Sequence, residues 1–163
     1  MNISAVQFKQ KNFINNIKNI LKITGVRAEN LELELTESVL MTNVTETTKT
    51  LNKLKDIGVS LAIDDFGTGY SSLNYLRHFP IDRLKIDKSF IRNIKYDSDN
   101  AAITRAIIAM AESLRMKVVA EGVESHDELE VLKNFNCSDI QGFLFSKPAP
   151  PNVIEDFLNK KRK

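Results

Sequence analysis

Asp64 and Asp65 stand side by side at the end of the apolar run Val59-Ser60-Leu61-Ala62-Ile63 and lead into Phe66-Gly67-Thr68-Gly69. Two adjacent carboxylates at a strand end can reach two neighbouring cations, one bridged and one held terminally, as in-line phosphoryl displacement requires. Asn2, Glu34, Lys85, Glu121 and Gln141 close other short apolar or alternating segments in the same way. Carboxylates and a side-chain amide gathered at one mouth repel one another unless a divalent ion compensates, and an all-oxygen donor set suits Mg²⁺ or Mn²⁺. The two histidines, His78 and His126, close no such segment, so the pattern is not that of a zinc site.

Each residue also has a plainer use. Asp64 or Asp65 could cap the turn into Gly67-Thr68-Gly69, Glu34 could be an exposed residue of an alternating strand, and Glu37 suits a first helical turn. Lys85 could pair with an acid and do nothing else. Their joint placement, one polar residue per strand end, favours chemistry. Lys85 as a Schiff-base nucleophile is disfavoured, because Asp64, Asp65 and Glu121 would keep its amine charged.

These residues are carried by strands and helices in alternation. Asn2-Ile3-Ser4 is extended, and Ser4 with Gln7 forms a capping box that opens a helix, with Ile3 and Phe8 as its hydrophobic staple. Phe13, Ile14, Ile17, Ile20 and Leu21 recur at helical spacing up to Gly25, a C-cap. Leu31 to Leu35 alternates as a strand, and Val44, Leu51, Leu54 and Ile57 form a helix face stopped by Gly58. Val59 to Ile63 is the next strand, and a helix from Ser71 to about His78 ends before Pro80. Arg83 to Ile86 and Lys117 to Ala120 read as strands flanking a helix through Ile103, Ile107, Met110 and Leu114. A second capping box, Ser125 with Glu128, precedes Leu129, Leu132 and Phe135. The strand Asp139 to Phe143 and a helix from Val153 to Leu158 follow.

Six strands with helical crossovers predict a parallel α/β sheet. A doubly wound sheet gathers its ligands at one switch point and usually carries a glycine-rich phosphate loop, and the chain has no G-x-G-x-x-G. A ring of polar strand ends is the layout of a (β/α)8 TIM-like barrel, and the pattern predicts that class.

The 163 residues suit one domain, with 42% hydrophobic and 27% charged residues and a net charge of +2. That balance demands neither nucleic acid nor an anionic membrane. Residues 1–158 are expected to form the domain and 159–163 a solvated basic tail. The single cysteine, Cys137, forms no internal disulfide, and no apolar run reaches membrane-spanning length, so a cytoplasmic setting is expected.

The ordered motifs carry a resemblance. Asn2-Ile3-Ser4-Ala5-Val6-Gln7-Phe8 looks like N-x-S-x-x-Q-F, Glu34-Leu35-Thr36-Glu37-Ser38 is E-L-T-E-S, and residues 64–73 read D-D-F-G-T-G-x-S-S-L. Lys85-Ile86-Asp87, Glu121-Gly122-Val123-Glu124 and Gln141-Gly142-Phe143 follow in order. Together they resemble the EAL-type cyclic-di-GMP phosphodiesterases, from residue 2 to about 150. The resemblance implies hydrolysis of this bacterial second messenger to linear pGpG by a two-metal site using Mg²⁺ or Mn²⁺.

By that resemblance Asn2, Glu34 and Asp64 ligate the first metal, and Asp64 bridges to a second that Asp65 also binds. Lys85 holds or deprotonates the attacking water, and Glu121 and Gln141 position the metal–water network. Glu37 braces the loop after the second strand present, and Glu124, with Asp65, contacts substrate. The resemblance also implies a homodimer through residues 65–76 and an upstream sensory or GGDEF-like domain. The family's Glu-Ala-Leu strand has no counterpart in these residues. Six of eight barrel strands are therefore expected here, with activity of this chain alone impaired. The alternative is a non-catalytic module that binds cyclic di-GMP or another protein.

Overall fold

Helices begin where local side chains satisfy their free N–H groups. In the computed structural model, which describes residues 1–69, 73–137 and 139–160, both anticipated capping boxes form, at Ser4/Gln7 and Ser125/Glu128. Gly25 and Gly58 end their helices in the left-handed conformation, at φ 69° and 98°, where a residue without Cβ costs least.

The elements alternate: β1 (Asn2–Ile3), α1 (Ala5–Phe8), α2 (Phe13–Thr24), β2 (Glu32–Thr36), α3 (Glu37–Met41), α4 (Val44–Ile57), β3 (Ser60–Phe66), α5 (Leu73–Leu76) and β4 (Arg83–Ile86). They continue as α6 (Lys88–Ile91), α7 (Ser98–Ser113), β5 (Lys117–Ala120), α8 (His126–Asn134), β6 (Asp139–Ile140) and α9 (Pro151–Lys160). All strand pairs are parallel, in the order β1-β2-β3-β4-β5-β6. A doubly wound sheet would reverse its strand order at a switch point. The uninterrupted order is that of barrel winding.

Strand alternation divides the sheet into two faces. Leu33, Leu35, Leu61, Ile63, Leu84 and Ile86 are fully buried in one cluster with Leu40, Leu51, Leu54 and Leu132. Each such side chain contributes roughly 1.5–3 kcal/mol relative to exposure. The opposite parity carries Glu32, Glu34, Asp64, Arg83 and Lys85. The inner face of this sheet is charged.

Boundaries differ from the sequence reading by a few residues. β2 runs one residue later than expected, β3 extends through Phe66, and β6 is only Asp139–Ile140. Glu34 consequently lies inside β2, two residues short of its end. Ser71 and Ser72, the expected start of a helix, lie outside the described residues, and that helix is seen as α5, ending at Leu76. α6 was not anticipated. α9 continues past residue 158, the expected domain limit, and residues 161–163 of the basic tail lie outside the described residues.

Candidate functional site

Consecutive strand residues normally point to opposite faces, so Asp64 and Asp65 would diverge in a regular β3. The register prevents this. Ile63 pairs with Leu84 and Phe66 with Ile86, which leaves both acids opposite Lys85. This is a β-bulge, and Asp65 takes up the extra residue at φ 52°, a left-handed backbone that aspartate tolerates better than most side chains. Oxygens of Asp64, Asp65 and Glu121, which directly follows β5, lie within 4.8 Å of one another.

Lys85 is 6% exposed. Its Nζ donates to Glu34 Oε2 at 2.9 Å and Asp64 Oδ1 at 2.9 Å, and pairs with Glu121 Oε1 at 2.8 Å. Burial alone would lower its pKa, but the bonds to Glu121, Asp64 and Glu34 outweigh burial and hold it above the ordinary lysine range. Glu121 responds differently although it is paired. Burial raises its carboxyl more than the bond to Lys85 lowers it, and repulsion from Asp64 and Glu34 adds to the rise. Asp65 is also raised, by burial and then by the charges of Asp64 and Asp87.

The Asn2 amide, at the open edge of β1, reaches Glu34 Oε2 at 2.7 Å and Asp64 Oδ2 at 3.2 Å with its nitrogen as donor. Turned over, it would present an oxygen to two carboxylates, an arrangement that only a cation stabilises. Glu34, Asp64 and Glu121 converge on the ammonium of Lys85, and Asp65 lies against Asp64 and Glu121. This excess of anionic oxygen, without histidine or thiolate, fits one or two hard divalent cations.

Glu37 opens α3 and is 5% exposed. Its Oε2 accepts from Gly67 N at 3.3 Å, while Oε1 is buried with no hydrogen-bond partner among the described residues. A Cβ on Gly69 would sit 2.9 Å from that oxygen, so a larger residue at this point of the loop would displace the Glu37 carboxylate. The loop in question follows β3, the third strand, rather than the second as expected. Residues 70–72 of the expected dimer segment lie outside the described residues.

Gln141 and Glu124 are exposed and line a cleft of about 500 Å³ with Asp65, Asp87, Lys88, Glu121 and Lys147. The structure therefore brings Asn2, Glu34, Asp64, Asp65, Lys85 and Glu121 together and places Gln141 and Glu124 on the adjoining wall. Asp87 closes the Lys85-Ile86-Asp87 motif. It caps α6, accepting from Ser89 N at 2.9 Å. Burial opposes its ionisation, but Ser89 and Lys88 prevail and lower its pKa. The Asp-x-Ser spacing at a strand exit was the available signal.

Known proteins share this architecture. The EAL domain family model matches residues 1–148. Cyclic di-GMP phosphodiesterase NbdA of Pseudomonas aeruginosa is 46% identical over 162 residues, covering 99% of this chain and 21% of NbdA. Signaling protein YkoW of Bacillus subtilis is 47% identical over 158 residues, covering 97% and 20%. The chain thus spans about a fifth of the length of these curated relatives. The PaMucR phosphodiesterase in complex with c-di-GMP superposes with a TM-score of 0.90 at 42% identity, covering 94% of this chain and 62% of that one. A manganese/cy-diGMP complex of Klebsiella pneumoniae BlrP1 gives 0.84 at 33% identity, covering 91% and 38%.

Proposed function

The chain belongs to the EAL domain family, and from that premise we propose that its polar mouth binds cyclic di-GMP and opens one phosphodiester to give linear pGpG. One observation carries the reading: Lys85 is caged by Glu34 of β2, Asp64 of β3 and Glu121 just after β5, beside a bulge where the Asp64 and Asp65 carboxylates come close to Glu121. In this proposal Asn2, Glu34 and Asp64 hold one divalent cation, and Asp64 and Asp65 a second, Mg²⁺ or Mn²⁺. Bound there, the ions would acidify water and offset the charge of the phosphodiester.

The protein groups have distinct tasks. Lys85, bonded to Glu34, Asp64 and Glu121, is placed to hold the attacking water or to take its proton. Glu121, within reach of Asp64 and Asp65, fixes the acidic side of the mouth. Gln141 and Glu124 contact substrate or its water from the cleft wall. Glu37 steadies the loop that carries Gly67 and Gly69. The first ion has one amide and two carboxylates from this chain, so turnover by these 163 residues is expected to be slow.

The purified chain, given cyclic di-GMP and Mn²⁺, should bind the nucleotide and release pGpG slowly, resolved by chromatography. Asp65→Asn, which keeps the backbone conformation, should lower release at least about tenfold. Saturable binding with no release would favour a non-catalytic sensor. Absence of nucleotide binding by the folded chain in Mn²⁺ would sink the proposal.

A further inference from the structure

A capping box asks one thing of its acid, to accept the N–H of the cap residue. Glu128 does more. It is 7% exposed, and its Oε2 accepts from Ser125 N at 3.0 Å and from Glu124 N at 2.9 Å. Its Oε1 accepts from Asn93 N at 3.3 Å, across from the turn after α6. Asn93 presents that N–H from a left-handed backbone, φ 59°.

Asp127, the preceding residue, repeats the link at the surface. It accepts from Lys95 Nζ at 2.7 Å and Tyr96 OH at 3.0 Å. Two consecutive acids thus clasp the turn after α6 to the start of α8, one buried and one exposed. Between β5 and that clasp lies the four-residue segment Glu121–Glu124. Its near end is tied to the sheet by Glu121 N to Ile86 O at 3.2 Å. Its middle is tied by Val123 N to Gln141 O at 3.2 Å, and its far end by Glu128.

We propose that Glu128 is a positioning residue for the acidic mouth: it fixes the Glu121–Glu124 segment, and so sets where the Glu121 carboxylate meets Asp64, Asp65 and Lys85. This rests on reading that mouth as a cation-dependent phosphodiester site. Three N–H donors on one buried carboxylate are charge-assisted bonds. Removing the acceptor leaves the Glu124 N–H unpaired and the segment held only at Glu121 and Val123, with its far end free.

The variants are Glu128→Ala, Glu128→Gln and, as the surface control, Asp127→Ala, each studied where all are fully folded. Amide exchange by NMR on the metal-free chain should rise at Asn93, Glu124 and Ser125 in Glu128→Ala. Mn²⁺ affinity, read by electron paramagnetic resonance, should fall about tenfold in Glu128→Ala, the size of effect typical for groups that orient ligands. Glu128→Gln keeps one oxygen for Glu124 and Ser125, and should restore affinity to within about threefold of wild type. Asp127→Ala should leave it unchanged.

Glu128→Ala binding Mn²⁺ like wild type, with the three amides opened, would overturn the proposal, as would failure of Glu128→Gln to rescue. A wild-type chain that binds Mn²⁺ in this Glu128-dependent way but never releases pGpG would sink the phosphodiesterase reading and leave the positioning role standing. A wild-type chain that binds no Mn²⁺ would sink both.

Discussion

Replacing Lys85 by methionine keeps most of the side-chain volume and deletes the ammonium on which Glu34, Asp64 and Glu121 converge at 2.8–2.9 Å. Breaking a buried ion pair from one side costs about 3–5 kcal/mol, because the remaining charge is left without compensation. The side chains of these acids are 15–19% exposed, so water reaches them in part and the loss falls at the lower end, about 3 kcal/mol. For a chain of this size that is a fall of about 6–12 °C in unfolding midpoint, measured by circular dichroism in EDTA at pH 7.

The pH dependence has a definite sign. The Lys85 pKa is raised on folding, so its stabilisation is complete below the unfolded lysine value of about 10.4 and is lost only as pH rises through the higher folded value. In Lys85→Met the stranded acids lose their mutual repulsion as they protonate. The deficit against wild type should therefore shrink as pH falls toward about 4. Added Mn²⁺ should recover part of it at pH 7. An unfolding midpoint equal to wild type in EDTA at pH 7, or a deficit that grows on acidification, would refute the reasoning.

Two further outcomes follow from packing. A Cβ on Gly142 would lie 2.1 Å from Val123 O and 2.4 Å from Val123 N, so Gly142→Ala must push backbone apart and should cost about 1–3 kcal/mol in urea unfolding. Cys137 is 4% exposed, and burial pushes its thiol up to about 11 from 9.0. Iodoacetamide at pH 8 should therefore label it on the order of a hundredfold more slowly than a free thiol, and at the ordinary rate once urea unfolds the chain.

Local chemistry made much of this protein legible in its sequence. The Ser4/Gln7 and Ser125/Glu128 boxes join residues three apart, and Gly25 and Gly58 stop helices through their own backbone freedom. The alternation of Glu32 to Leu35 assigns faces without reference to any neighbour. Tertiary structure decided what the charged residues meet. Lys85 finds partners 51 and 21 residues away, and Glu128 reaches Asn93 across 35. The sequence placed Asp64 beside Asp65 and could not say that they share a mouth. That depends on β3 slipping one residue against β4, and register is a property of two strands together. A different pairing, β1 with β2, sets Asn2 directly across from Glu34, which joins the site from inside its strand.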